Sequence, residues 1–154
     1  GGEATTFNSM ENSITLRLVI ASDLPIFFEQ QKDPVANEMA AFPARELDAF
    51  MEHWKKVLSN ESNITMTILY NDEVAGNIAS FEMEGHREVG YWLGRKFWGK
   101  GIASEALGQL LKIEQIRPLY GYAAKHNVGF QRVLEKCGFV SSSEDGVFRV
   151  MVLK

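Results

Sequence analysis

The sequence predicts a mixed α/β domain built on one central sheet, and three observations predict it. The elements run strand, two helices, three strands, helix, strand, helix, two strands over 154 residues, a length that suits one domain with its own core. Residues 88–113 change character twice: aromatic and β-branched through Leu93, basic and glycine-bearing through Gly101, helically periodic from Ile102. A strand at 119–124 follows that helix, and a helical crossover of this kind makes the two flanking strands parallel. The expected sheet is therefore mixed and mostly antiparallel, with about six or seven strands and helices on both faces.

Each element has its own warrant. In 15–20, Leu16, Leu18 and Ile20 alternate with Thr15, Arg17 and Val19, the period of a strand. Ser22 and Asp23 offer an N-cap and Pro25 suits a first turn, so 24–31 reads as a short helix ending near Asp33 and Pro34. Residues 35–43 are mixed in character and predict a loop that exposes Met39 and Phe42. From Glu46 a clearer helix keeps Leu47, Phe50, Met51, Trp54, Val57 and Leu58 on one face, with His53 at its rim. Residues 60–63 break it. Strands at 64–70 and 74–83 join through Asn71, Asp72 and Glu73 as a hairpin, and Glu84, Gly85 and His86 turn the chain into the 88–93 strand. The next helix spans 101–113, and Pro118 blocks its continuation. From Val128, residues Phe130, Val133, Leu134 and Cys137 share a helical face that stops at Gly138. Strands at 139–143 and 147–153 close the chain as a hairpin. Residues 1–14 read as a flexible N-terminal segment, whose part before Met10 could include non-native residues, and the domain spans 15–154.

Composition narrows the function. Hydrophobic residues make up 45% and charged residues 23%, an ordinary globular balance. The net charge of −4 gives no overall basic field for nucleic acid or an acidic membrane. No apolar run approaches the roughly 20 residues of a membrane span and no signal peptide is visible, so a cytoplasmic protein without a membrane partner is expected. The lone Cys137 sits on an apolar stripe and reads as core, which suits a reducing compartment. No Cys/His cluster points to a metal.

The basic loop is the chemically informative stretch. The first turn of a helix leaves N–H groups unpaired and carries partial positive charge. Gly99 and Gly101 let an anion approach the backbone, and Arg95, Lys96 and Lys100 add charge, so the pattern reads as a phosphate or pyrophosphate cradle. A Walker loop would need Ser or Thr after Lys100, where Gly101 stands. A dinucleotide fingerprint would need glycine at Ser104, directly after a strand.

Tyr91-Trp92-Leu93, then Lys96-x-x-Gly99-x-Gly101-Ile102-Ala103-x-Glu105-Ala106, resembles motif A of the GNAT superfamily of acetyl-CoA-dependent N-acetyltransferases. Lys96 stands where that family usually has Gln or Arg. The wording from Trp98 to Ala106, together with Asn127 and the run Arg132-Val133-Leu134-Glu135-Lys136-Cys137-Gly138-Phe139, is similar to the RimJ/RimL-like branch. The resemblance implies that the parallel strands splay to form a cleft for acetyl-CoA. It implies that Trp98, Gly99, Lys100, Gly101, Ile102 and Ala103 meet the pyrophosphate through N–H groups, with Lys96 and Arg95 as side-chain candidates. It gives Trp92 and Leu93 backbone contacts to the pantetheine arm, and Asn127 a contact from the far side. Asn127 also reads as an N-cap.

The reaction implied is direct attack of a primary amine, either a protein N-terminal α-amine or a small amine, on the thioester. An amine of pKa ~10 must first lose a proton. Glu88 is the favoured base, with Glu82 and Glu84 as competitors. Leu134 and Phe130 stand where related sequences carry a tyrosine and a serine that could protonate the leaving thiolate, so Tyr120, Tyr122 and His126 remain as substitutes, and Tyr120 is carried forward. The same two departures keep open a non-catalytic acyl-CoA-binding module. A nucleotide-binding enzyme of another class would need a second phosphate motif or an acid pair for metal, and neither is found. Homodimers are common in the family the motifs resemble.

Overall fold

The computed structural model describes residues 13–154. Its strands are β1 (Ile14–Leu18), β2 (Ile64–Tyr70), β3 (Glu73–Met83), β4 (His86–Leu93), β5 (Leu119–Ala124), β6 (Val140–Asp145) and β7 (Phe148–Leu153). Its helices are α1 (Leu24–Gln30), α2 (Pro34–Ala40), α3 (Leu47–Ser59), α4 (Ile102–Ile113) and α5 (Val128–Lys136). The strands form a single 7-stranded sheet in the order β1-β2-β3-β4-β5-β7-β6. Only β4 and β5 are parallel; every other neighbouring pair is antiparallel. This is the mixed sheet that the element order predicts.

Two local expectations are corrected. Where 35–43 predicts a loop, Pro34–Ala40 is a helix. The Asp33 side chain accepts the Val35 N–H at 3.0 Å, Pro34 takes the first turn, and Ala41 closes the helix in a left-handed conformation at φ 54°. Capping at both ends thus makes a helix from a segment with almost no apolar stripe. The first strand also stops at Leu18, and Ile20 leaves the sheet because its N–H is taken by the Asp23 carboxylate at 3.0 Å. The expected N-terminal segment lies, through residue 12, outside the described residues.

Apolar burial sorts the helices onto the two faces. Ile102, Ala106, Leu107 and Leu110 of α4 and Leu134 of α5 join Ile68, Ile78, Val89, Leu119 and Met151 of the sheet in the main core. Leu24 and Phe27 of α1 and Phe50 and Trp54 of α3 form a second cluster against Val74. Helix α5 seats closely on β5: a Cβ at Gly121 would lie 2.7 Å from the Leu134 side chain.

The feature that positions the site is the fork between β4 and β5. They pair only at Arg87↔Leu119 and Glu88↔Tyr120, and then diverge. A buried polar network fastens the base of the fork. Arg87 Nε donates to Glu114 Oε2 at 3.0 Å, and Ser80 Oγ donates to the same oxygen at 2.5 Å. The Ile116 N–H donates to Glu114 Oε1 at 2.9 Å, and Arg87 Nη2 donates to the Ser62 carbonyl. The chain leaving α4 is therefore tied to the start of β4 just before it becomes β5. Burial works against the charge on Glu114, but Ser80, the Ile116 N–H and Arg87 outweigh it and hold the carboxyl below its usual range.

Two stability predictions follow from these networks. Replacing Glu114 by Gln strands the buried Arg87 guanidinium, and should lower the unfolding free energy by about 3–5 kcal/mol in urea titrations. Asp23 is held at a pKa of about 2. Burial opposes this, but paired Arg17 bonds at 2.7 and 2.9 Å, the Ile20 N–H and the Thr67 hydroxyl prevail. A depressed carboxylate contributes stability above its unfolded pKa of 3.8 and loses it as pH falls towards about 2. Asp23→Asn should lower the denaturation midpoint at neutral pH and flatten its decline across that window.

Candidate active site

Beyond the fork the two strands enclose a cleft of about 380 Å³. One wall is the end of β4, with Tyr91, Trp92 and Leu93. The floor is the loop after it and the first turn of α4, with Trp98, Gly99, Gly101, Ile102 and Ala103. The opposite wall is the start of α5, with Asn127, Gly129, Phe130 and Val133. Helix α2 covers the top through Ala36, Met39 and Ala40.

Local sequence explains this geometry. A short turn over Arg95–Phe97 buries Phe97 and is closed by the Trp98 N–H on the Arg95 carbonyl. Gly99 and Gly101 then take left-handed conformations at φ 75° and 76°, which side chains rarely adopt. A Cβ at either would meet no protein atom within 4 Å, so the space above the loop is open. Gly101 is also the N-cap of α4, whose first turn, with N–H groups that have no helical partner, lines the cleft.

The expected cofactor residues divide by what they offer. Trp92, Leu93, Trp98, Gly99, Gly101, Ile102, Ala103 and Asn127 all line the cleft. The charged side chains do not. Arg95 donates through Nε and Nη2 to Asp33 at 2.9 and 2.8 Å, and Lys96 pairs with Glu73. Lys100 is exposed and makes no ion pair among the described residues. Trp92 Nε1 donates to the Gln30 carbonyl at 3.0 Å, and Trp98 Nε1 to the Leu93 carbonyl at 3.2 Å, so both indoles brace the strand end. Asn127 Oδ1 accepts the Phe130 N–H at 3.1 Å, the capping role its position suggested.

The catalytic candidates gather at the fork, just outside the lining. Glu88 is buried on β4, directly beside Tyr120 on β5. Glu82 and Glu84 are exposed. Burial pushes the Glu88 carboxyl above its ordinary value, partly offset by a contact from His86. His126 donates to the Glu38 carbonyl at 2.7 Å and so ties α2 to the far arm of the cleft. Of the two departures noted in the sequence, Leu134 is wholly buried against Gly121, whereas Phe130 faces the cleft edge-on to Tyr91 at 5.1 Å between ring centres. Burial pushes both the Tyr91 phenol and the Cys137 thiol up, which suits core groups rather than nucleophiles.

Sequence reasoning missed two contributors. His86 reads as a turn residue but belongs to β4, because Glu84 and Gly85 at φ 50° and 87° complete the turn alone. The cleft cover from α2 was hidden inside the expected loop, although Asp33-Pro34 carried its capping signal.

Residues 13–140 match the model of the acetyltransferase (GNAT) domain. The chain belongs to the GNAT acetyltransferase family. A Bacillus licheniformis protein described as the uncharacterized N-acetyltransferase p20 is 31% identical over 108 residues, 64% of this chain. The match spans 60% of that relative's length. The aminoglycoside acetyltransferase AAC(6')-Ib in complex with coenzyme A superposes with a TM-score of 0.78 at 21% identity, covering 92% of this chain and 95% of that one. Spermidine N-acetyltransferase from Vibrio cholerae, in complex with CoA and spermine, gives 0.75 at 18% identity over 90% and 92%. Likeness at this identity establishes the GNAT fold. Among the described residues no helix is long and apolar enough to cross a membrane, and no group of three or more His, Cys, Asp or Glu side chains could hold a metal.

The cleft floor yields a binding prediction. Gly101→Ala should cost about 1 kcal/mol in stability through its positive φ. If the open space above the loop receives the CoA pyrophosphate, the new Cβ should also weaken CoA binding at least tenfold. Calorimetric titration of the folded variant checks this, and an unchanged Kd would remove the loop from the binding site.

Proposed function

We propose that this GNAT protein is an acetyl-CoA-dependent N-acetyltransferase acting on a primary amine. The observation that carries the proposal is the combination of an apolar cleft, the unpaired edge of β4 beyond Glu88, and an open left-handed glycine loop at the cleft's end. An unpaired strand edge can hydrogen-bond the amides of a pantetheine arm as another strand would. The first-turn N–H groups of α4 suit a pyrophosphate, and Gly99 and Gly101 remove the side chains that would block it. Asn127, with Oδ1 engaged in capping, presents Nδ2 as the donor from the opposite wall. Because Arg95 and Lys96 are paired elsewhere, backbone dipoles rather than these side chains supply most of the anion recognition.

In this reading Glu88 takes the proton of the incoming ammonium. A buried carboxylate with a raised pKa is a stronger base than an ordinary one, and so better matched to an amine. The amine lone pair then forms the N–C bond at the thioester carbonyl. Backbone N–H near Trp92 or Leu93 stabilises the oxyanion. As the C–S bond breaks, a thiolate of pKa ~8.5 can leave without full protonation, so no cleft tyrosine is required. Tyr120 beside Glu88 is the residue placed to assist.

The acceptor has two sources of support. The similarity of the Trp98–Ala106 and Arg132–Phe139 runs to the RimJ/RimL-like branch points to a protein N-terminal α-amine. The spermine bound by the Vibrio cholerae structure and the aminoglycosides of the other point to a small cationic amine. A non-catalytic acyl-CoA-binding module remains the second reading, favoured by Phe130 in the cleft.

Calorimetric titration with acetyl-CoA, CoA and NAD, followed by thiol release across spermidine, kanamycin and N-terminal peptides, tests both readings. Binding of both CoA species with acceptor-dependent thiol release supports the enzyme; binding without release supports the module. Glu88→Gln should leave the CoA Kd unchanged and lower kcat about 10²-fold. In the wild type, the raised pKa places the acid limb of kcat/KM above the ordinary 4.5, with activity rising as pH increases through it. Glu88→Gln should abolish that limb.

A further inference from the structure

Four side chains share one face of the sheet at the fork. His86 and Glu88 lie two apart on β4, Tyr120 and Tyr122 two apart on β5, and Glu88 is in register with Tyr120. His86 Nε2 lies 3.0 Å from Glu88 Oε2. The imidazole stacks on Tyr122 at 5.6 Å and 12°, and tilts against Tyr120 at 4.7 Å and 45°. The two rings therefore fix the plane of the imidazole and aim one nitrogen at the carboxylate. Exposure rises along this line: the Glu88 side chain is 12% exposed and that of His86 28%. A buried base has a practical difficulty, since the proton it accepts must reach water before the next turnover.

We propose that His86 is the positioning and proton-outlet residue of Glu88. This rests on the reading of Glu88 as the base. The ammonium gives one proton to the Glu88 carboxylate, the neutral amine forms the N–C bond, and the C–S bond breaks with its electron pair leaving on sulfur. The second N–H proton goes to that sulfur. The first passes from Glu88 to the unprotonated Nε2 of the His86 Nδ1–H tautomer, the imidazolium gives its Nδ1 proton to water with its Nε2–H on the carboxylate, and exchange with solvent restores the starting tautomer. One acetyl group moves, one thiol forms and one proton is released. Without His86 the carboxylate would remain protonated for longer and would lose the contact that sets its rotamer.

Other charged groups bear on the same cluster. Glu84 in the β3–β4 turn and Asp145 on β6 both act on Tyr122, whose phenol burial first and then Glu88, Asp145 and Glu84 push up. Glu84 also acts on Glu88. These carboxylates place further negative charge beside the cluster. The contact from His86 favours the ionised form of Glu88, so its removal should move the Glu88 titration to higher pH.

The experiment compares wild type, His86→Phe, His86→Gln, Glu88→Gln and the His86→Phe/Glu88→Gln double variant, using whichever amine of the acceptor panel releases thiol. The expected result is a kcat lowered about 10²-fold by His86→Phe, an acid limb of kcat/KM moved to higher pH, and an unchanged CoA Kd. The double variant should be no slower than Glu88→Gln, because the two act in one chain of transfer. Ring-nitrogen NMR of His86, with CoA bound, should show a tautomer balance altered by Glu88→Gln. Wild-type kcat and pH profile in His86→Phe or His86→Gln would overturn the outlet while leaving Glu88 as the base. A His86 tautomer balance indifferent to Glu88→Gln would overturn it as well. A wild-type chain that binds CoA and acetylates no amine would overturn the enzymatic reading, and the outlet with it.

Discussion

The site depends on how little β4 and β5 touch. Two paired positions are enough to fix the strands as neighbours and too few to hold them together along their length. A fully paired strand has no free N–H or C=O to offer a ligand, so a ligand that binds as a strand needs a gap in the sheet. The gap is stable because its base is tied. Arg87, Ser80 and Glu114 join the start of β4, the middle of β3 and the end of α4 in one buried network, and the helix cores of α4 and α5 hold the two arms from one face. Such a network is costly to bury and costlier to break.

Charge and backbone have separate tasks around the cleft. The loop at the cleft floor offers left-handed glycines and the first turn of α4, which need no side chain at all. The basic residues of the same loop face outward: Arg95 clasps Asp33 and Lys96 pairs with Glu73. Asp33 is also the N-cap of α2, and His126 holds the other end of that helix through the Glu38 carbonyl. Helix α2 thus spans the cleft between its two arms. The loop that makes the floor also anchors the cover.

Much of this was legible in the sequence, and the division is instructive. The switch from strand to loop to helix between Val89 and Leu107, the parallel crossover to Leu119 and the glycines of the connecting loop could all be read from spacing. So could the capping role of Asn127, since an N-cap is decided by its own few neighbours. The charges of Arg95 and Lys96 were assigned to the anion because sequence distance said nothing of Asp33, 62 residues away, or Glu73, 23 residues away. Helix α2 shows little in its periodicity, a weak signal in seven residues, although its caps are legible at Asp33 and Pro34.

By itself the sequence determined the order of the strands and of every helix but α2, and the place of the glycine loop between β4 and α4. These are set by local φ and ψ preferences and by the period of apolar residues, which a stretch of chain carries wherever it is placed. Only the tertiary structure decided which side chains meet: His86 with Glu88, Tyr120 and Tyr122, Leu134 with Gly121, and Arg87 with Glu114. Those partnerships depend on which strands become neighbours and on where their pairing stops. That register is fixed by packing of the whole core, and no single segment contains it.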